Sequence, residues 1–586
     1  VIARSLGVVA LAILLVPLSL SAQNAERCDE GRIASITIVR KPVFDPTSNG
    51  TLSTVYSAAN WLHVQTREEV IRRELLFAVG DCADRLRFSE SERLLRRFRF
   101  IESAQIESRK RADGDVDVVV VARDDWTLRF EPRFNLGGGF SITGLGFTER
   151  NIAGRGSSVE LLYFDRSGRD DVGASYFDPQ LLGSRLDLVL SGVRTEPGWT
   201  ANFSLAYPFL GLVGRQAAFQ EVFYSDRWFR YVATDSKAGD TPEYIQPITQ
   251  RLFEFGGAGR KATGRRGFAV NQATVGLTLS YEDLRYDTGF YRDSVPTDDL
   301  GLLESPADSL LSEQLRHRES LRLNLILGFE GLRYVQRRGV STLLGEEDIA
   351  IGGKADVMLG LAGKVFGTTD SHLLVGLDLY GGARVVGNWF SLLRFDGEVR
   401  QDHEARRWRD AFAAVEWTNL WLLGSRNATQ ITTRFSGGWE TSVPFQLTLG
   451  GPWGLVGYAP DRFPGGARLS VSAENRHRLT TVGRLVDLGS TVFFDVGRMW
   501  ANDAAFGVNS GLRASAGLGV RLASPTGSRT TYRLQAAMPF ESGVGTREIV
   551  FTLQIERLLR LESGPTDVQL GRSRDLAVRS AGFHLR

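Results

Sequence analysis

The sequence predicts a mainly β protein: a C-terminal antiparallel β-barrel that crosses a membrane, preceded by one small α+β domain. Three observations predict it. From Trp126 onward apolar and polar residues alternate in runs of about ten, separated by Gly, Pro, Asn or Asp. Between residues 33 and 123 two helical periods interrupt a strand pattern. The chain opens on a short apolar leader.

That leader, "VIARSLGVVALAILLVPLSLSAQ", has one Arg, an apolar run broken by Pro17 and small residues up to Ala22. It reads as a secretory signal peptide over residues 1–22. An uncleaved anchor is the weaker reading, because the apolar run is short for a bilayer span. With 42% hydrophobic residues and a mean hydropathy of -0.13, the chain is too polar for a helical membrane protein. It suits a barrel whose inner faces are wet. A net charge of +2 gives nucleic acid no global electrostatic attraction.

Residues 23–124 read as the α+β domain. "RIASITIVRK" alternates and suits a strand, with Ile33, Ile36 and Ile38 among its apolar residues. "TREEVIRRELLF" offers Thr66 as N-cap and Val70, Ile71 and Leu75 on one helical face. "SESERLLRRFRFI" repeats the design, with Ser89 and Glu92 as a capping box and Leu94, Leu95 and Phe98 as the apolar stripe. "AQIESRKRADGDVDVVVVARD" closes with a hairpin around Asp113 and Gly114. The expected order is strand, helix, helix, strand, strand. Cys28 and Cys82, the two cysteines, both lie early; in an exported chain one disulfide is expected, with two separate thiols as the alternative.

Residues 125–557 read as the barrel. "SSVELLYFDR", "WTANFSLAYPF", "TVFFDVGRMW" and "EIVFTLQIER" alternate over lengths that exceed ordinary sandwich strands and match spanning ones. Only a closed barrel leaves no sheet edge unsatisfied in lipid. "NIAGRG", "DPQLLG" and "SPTGSR" are short turns for one end. The long segments 233–247, 286–318, 441–466 and 500–511 belong to the other. Segment counting gives up to about 20 strands, an even number that returns both barrel ends to the side of entry.

No G-x-S-x-G elbow, phosphate loop, dinucleotide fingerprint or metal-spaced Cys/His cluster occurs. The expectation is no enzyme, no cofactor and no metal. One connection stands out: "GPWGLVGYAPDRFPGG", 451–466, carries five glycines, three prolines, Trp453 and Tyr458. Solubility alone would not call for the aromatics, so the segment is either an ordinary turn region or one folded back into the protein.

A helix-pair α+β module followed by a barrel resembles the BamA/TamA superfamily of outer-membrane assembly and secretion proteins. "FTERNIAGRG" (147–156), "YFDPQLLG" (176–183), "YPFL" (207–210) and "LGGPWGLVGYAPDRFPGG" look like its phrases in order. The resemblance implies a single POTRA module, a barrel of 16 strands and a lumen-inserted loop with its tip at Gly451, Trp453, Val456, Gly457 and Tyr458. The family's loop Arg pairs with acids on the next strands, but Val456 stands at that position here. Glu474 and Asp495 match the acids, lumen-facing by alternation. Arg462 is the candidate substitute cation; the alternative is that both acids face lumenal water.

The barrel has to join its first strand to its last. Gly137, Gly138 and Gly139 leave the first strand without side-chain packing, so a weak lateral seam is expected there, with Phe130 on one side and Phe551 and Leu553 on the other. A weak seam can template an incoming strand. The resemblance implies insertion of outer-membrane proteins or, alternatively, export of a partner polypeptide as in two-partner secretion. It also implies an outer membrane of a Gram-negative-type cell with the POTRA module in the periplasm. Implied partners are lipid and lipopolysaccharide, unfolded client polypeptides, and periplasmic chaperones or accessory lipoproteins, with no nucleic acid. The Arg-rich tail 558–586 reads as disordered.

Overall fold

The computed structural model describes residues 28, 30–44, 53–135, 141–165, 170–195, 198–233, 243–286, 291–292, 315, 317–364, 368–451, 454–460, 462–483, 485–540, 549–556 and 569. The leader 1–22, Gly137, Gly138, Gly139 and Trp453 lie outside them, as does the tail 558–586 except for Gln569.

The N-terminal domain has a three-stranded sheet. Strand β1 (Ile33–Lys41) lies parallel to β3 (Val116–Asp124), and β2 (Ile101–Lys110) lies antiparallel to it. The central position of β3 buries Val116, Val118, Val120 and Ala122 on its helix-facing side. There they meet Val70, Ile71, Leu75, Phe88 and Leu95 from the helices. Cys28 and Cys82 are bonded as a disulfide in this domain.

Two local expectations are corrected. Among the described residues the domain has three helices, not two: α1 (Ser53–Leu62), α2 (Glu68–Glu74) and α3 (Arg85–Arg97). Helix α1 is pinned by Asn60, whose side chain bonds both the N–H (3.1 Å) and the C=O (2.8 Å) of Phe44, and by Tyr56 stacked on Phe44. The caps also shift. Arg67, not Thr66, is the N-cap of α2, because the Thr66 hydroxyl accepts from Asn151 Nδ2 at 2.9 Å. Asp84 caps α3 through the Leu86 N–H at 2.9 Å, a turn earlier than Ser89. Glu92 instead accepts from the Ile106 N–H of β2 at 2.6 Å.

The remaining strands are β4 (Leu128–Asn135), β5 (Ser141–Glu149), β6 (Ser158–Asp165), β7 (Asp170–Asp178), β8 (Asp187–Arg194), β9 (Trp199–Tyr207) and β10 (Gln216–Val232). They continue with β11 (Glu243–Arg266), β12 (Ala269–Tyr286), β13 (Arg318–Arg338), β14 (Glu346–Gly363), β15 (His372–Arg384), β16 (Trp389–Asp402) and β17 (Arg407–Leu423). The last are β18 (Asn427–Trp439), β19 (Ala467–Val482), β20 (Val486–Trp500), β21 (Gly511–Ala523), β22 (Thr531–Phe540) and β23 (Val550–Glu556). Each pairs antiparallel with its successor. In the strand order β23 neighbours β4, which makes the sheet a ring. Among the described residues it has 20 long strands, as segment counting gave, rather than the 16 implied by the resemblance.

Alternation sorts the two faces of the wall. Along β20, Thr491, Phe493 and Asp495 are buried inward while Val492 and Phe494 are exposed outward. Phe130, Leu161, Leu277, Leu327, Leu518 and Phe551 join the exposed apolar outer surface, as expected of a wall facing lipid. Wall height is uneven. Strand β11 has 24 residues and β13 has 21, whereas β8 has 8 and β9 has 9.

Candidate functional site

The segment 441–466 turns inward from the barrel rim far from the N-terminal domain. Its neck is a small ladder, Leu447–Thr448 against Pro464–Gly465. Val443, Phe445, Leu447, Leu449, Leu455, Tyr458 and Phe463 are all buried, packed with Phe229, Ile248, Leu284, Phe412 and Met499 of the barrel wall. Removing these apolar groups from water is what holds the loop inside. Glycine is obligatory at the neck, since a Cβ on Gly450 would stand 1.9 Å from the Ala459 carbonyl oxygen.

The tip lies against the last strands before the seam. The backbone of Gly457 has φ +105, and a Cβ there would meet Ala537 and Ser515 at 3.2 and 3.3 Å. Tyr458 Oη donates to the Ala514 carbonyl at 3.1 Å, and the Val456 N–H donates to Asp495 Oδ2 at 3.2 Å. Gly451, at φ +83, makes the turn before the tip. Asp495 also accepts from Ser472 Oγ at 2.6 Å. Glu474 accepts from Arg476 Nε at 3.0 Å, Arg533 Nη1 at 3.2 Å and Thr491 Oγ1 at 2.7 Å.

The proposed role of Arg462 is therefore corrected. The cations on Glu474 come from its own strand and from β22, while the Arg462 guanidinium lies 5.2 Å from the Phe463 ring centroid. Asp495 is met by a hydroxyl and a backbone N–H. Alternation of Arg476 with Glu474 on β19 was the sequence signal for the true partner.

A second inward element went unread in the sequence. The β13–β14 turn, 339–345, folds across the domain end of the lumen. Arg476 Nη1 and Arg521 Nη2 donate to the carbonyls of Val340 and Ser341, and a Cβ on Gly489 would touch Leu343 at 2.5 Å. Buried Glu347 shapes the turn by accepting from the N–H groups of Val340 (3.0 Å), Ser341 (2.9 Å) and Thr342 (3.0 Å). "GVSTLLG" is unusually apolar for a barrel turn, which is the signal that could have found it.

Beneath this turn the N-terminal domain is docked on the barrel mouth. Gln180 Nε2 donates to Val70 O (3.0 Å) and Glu74 Oε1 (2.7 Å) of helix α2, and Arg185 reaches the Arg73 and Leu75 carbonyls, each at 2.9 Å. Buried Glu90 accepts from the Leu212 N–H at 2.6 Å. Arg96 pairs with Asp348 at 2.7 Å, and Asp84 with Arg265 at 2.8 Å. Two of the phrases that carried the resemblance, 147–156 and 176–183, supply docking turns. Gly154, at φ +72, receives the Arg67 N–H at 2.9 Å, and a Cβ there would lie 2.4 Å from Gln65 O. Gly154→Val is expected to weaken docking by about 2 kcal/mol or more, from left-handed strain plus this overlap. Amide exchange in α2 should quicken while the barrel keeps its heat-resistant migration on gels.

Residues 386–555 match the family profile described as the Omp85 superfamily domain. The chain carries an Omp85 superfamily domain. The Omp85 match covers β16 to β23, including the inserted loop, Glu474 and Asp495. Solved structures similar to the chain include BamA from Haemophilus ducreyi lacking POTRA domains 1–3, at 16% identity over 90% of this chain and 86% of that one, TM-score 0.34. CdiB from Escherichia coli is 14% identical over 90% and 75% of the two chains, TM-score 0.43. CdiB from Acinetobacter baumannii is 11% identical over 90% and 73%, TM-score 0.39. A search of curated protein sequences returned no match. Among the described residues no helix is long and apolar enough to cross a membrane.

Proposed function

We propose that this Omp85 protein works in an outer membrane, inserting β-barrel clients by templating their strands at the seam between β4 and β23. Its N-terminal domain would act as the periplasmic POTRA-like receptor. The observation that carries the reading is the obstructed lumen. The inserted loop packs inside the wall, the 339–345 turn crosses the other end and the N-terminal domain is docked on the mouth, which leaves the seam as the less obstructed route. Unfolded clients would be recognised through backbone N–H and C=O groups at an exposed strand edge. Lipid and lipopolysaccharide would meet the apolar outer face, with chaperones or accessory lipoproteins as further partners.

The test is to lock the seam. Phe130 and Leu553 both face outward and are exposed. Phe130→Cys and Leu553→Cys, with neighbouring positions scanned for register, should give an oxidised form that no longer inserts a reporter barrel into liposomes. Reduction should restore insertion. A locked form that inserts normally would sink the seam mechanism. If that form still passes a polypeptide through the lumen, the secretion-pore reading replaces it.

A further inference from the structure

Gln569 belongs to the tail that the sequence reads as disordered, yet its side chain is bound inside the barrel. Its Oε1 accepts from the Thr448 N–H and from Arg468 Nη1, both at 2.9 Å, and its Nε2 donates to Thr448 Oγ1 at 2.7 Å. The receiving surface is built and buried. Arg468 is 2% exposed and Thr448 is 7% exposed, and Arg468 also donates to the Thr448 carbonyl. Thr448 in turn donates to the Pro460 carbonyl at 2.6 Å across the neck of the inserted loop. One primary amide thus answers a backbone N–H, a hydroxyl and a guanidinium together. A carboxamide, with its paired donor and acceptor, fits that set; a carboxylate lacks the donor for the hydroxyl.

We propose that the chain's own C-terminal tail is a ligand of the lumen, latched by Gln569 onto the neck of the inserted loop. Strand β23 ends at Glu556, opposite Thr531, at the end of the barrel that carries the N-terminal domain. Arg468 is the second residue of β19, near the opposite rim. The 13 positions from Glu556 to Gln569 can reach about 45 Å when extended, enough to climb the lumen. Because the latch joins Thr448 to the tail, it opposes withdrawal of the loop. The proposal holds whether clients pass the seam or the lumen.

The Thr448 amide proton reports the latch directly, since Gln569 is its acceptor. In the full-length protein Thr448 should exchange slowly. In Gln569→Ala, and in a chain ended after Glu556, its exchange should quicken at least tenfold, while amides of Thr491 and Asp495 on β20 stay unchanged. Gln569→Ala keeps the tail and removes only the amide, so it remains informative if the shortened chain fails to fold. Crosslinking gives a second readout: Thr448→Cys with Gln569→Cys should join without reductant, retaining the tail after cleavage at a protease site introduced between residues 557 and 568. Unchanged Thr448 exchange in Gln569→Ala, or release of the cleaved tail from the double cysteine variant, would overturn the latch.

Discussion

Replacing Glu474 with Ala is expected to destabilise the barrel by about 3–5 kcal/mol, because two buried cations lose their shared anion. Arg476 and Arg533 both reach this carboxylate, at 3.0 and 3.2 Å, and the three side chains are about one-tenth exposed. The damage should spread. Arg476 also holds the Val340 carbonyl, so freeing its guanidinium loosens the 339–345 turn. Arg462→Ala makes the comparison sharp. Its contact with the Phe463 ring supports a loss of about 1 kcal/mol or less. Denaturant midpoints of the two variants in one detergent would check the ordering. Equal losses would mean that the loop cation, not the wall arginines, balances the buried acid.

Docking of the N-terminal domain is expected to weaken as pH rises, and Glu102 is the group responsible. Its carboxylate abuts the β21–β22 turn, where a Cβ on Gly527 would stand 2.7 Å from Oε1. Burial pushes the Glu102 carboxyl up to about 8; Arg123 and Arg338 oppose the shift, while Asp125 and Glu346 add to it. Below about 4.5 the group is protonated whether docked or free, so docking suffers no penalty. Between about 4.5 and about 8 the free domain releases its proton while the docked one keeps it. Docking therefore loses about 1.4 kcal/mol per pH unit across that window, a few kcal/mol in all. Glu102→Gln should flatten the dependence and favour docking at pH 8. Amide exchange in helices α2 and α3 at pH 6 and pH 8 measures it; wild type and variant with the same dependence would refute the assignment.

The barrel was legible because a spanning strand imposes a period of two that no tertiary context overrides. The segment from Ile549 to Glu556 shows that period without its neighbours, and the same rule placed Glu474 and Asp495 on the inner face, where both are buried. The hairpin at Asp113 and Gly114 was equally local, with Gly114 at φ +90. Helix α1 escaped because its anchor is Asn60 on the Phe44 backbone, a contact 16 residues away. The caps moved for a related reason. Thr66 could have capped α2, but a barrel residue, Asn151, claims its hydroxyl.

The sequence by itself determined the two periodicities, the division into a small α+β domain and a large barrel, the side of the wall each residue takes and a loop too aromatic to remain in water. These are properties of a residue and its near neighbours along the chain. Only the tertiary structure decided that Arg533 joins Arg476 on Glu474, where the 339–345 turn goes, how the domain seats on the mouth and where Gln569 ends. Each joins residues brought together by the ring itself: Val340 meets Arg476 across 136 positions, and Thr448 meets Gln569 across 121. A polar side chain on the inner face has many partners within reach of its charge, and the choice among them is set by strand register and by the space left inside the barrel, which no local pattern encodes.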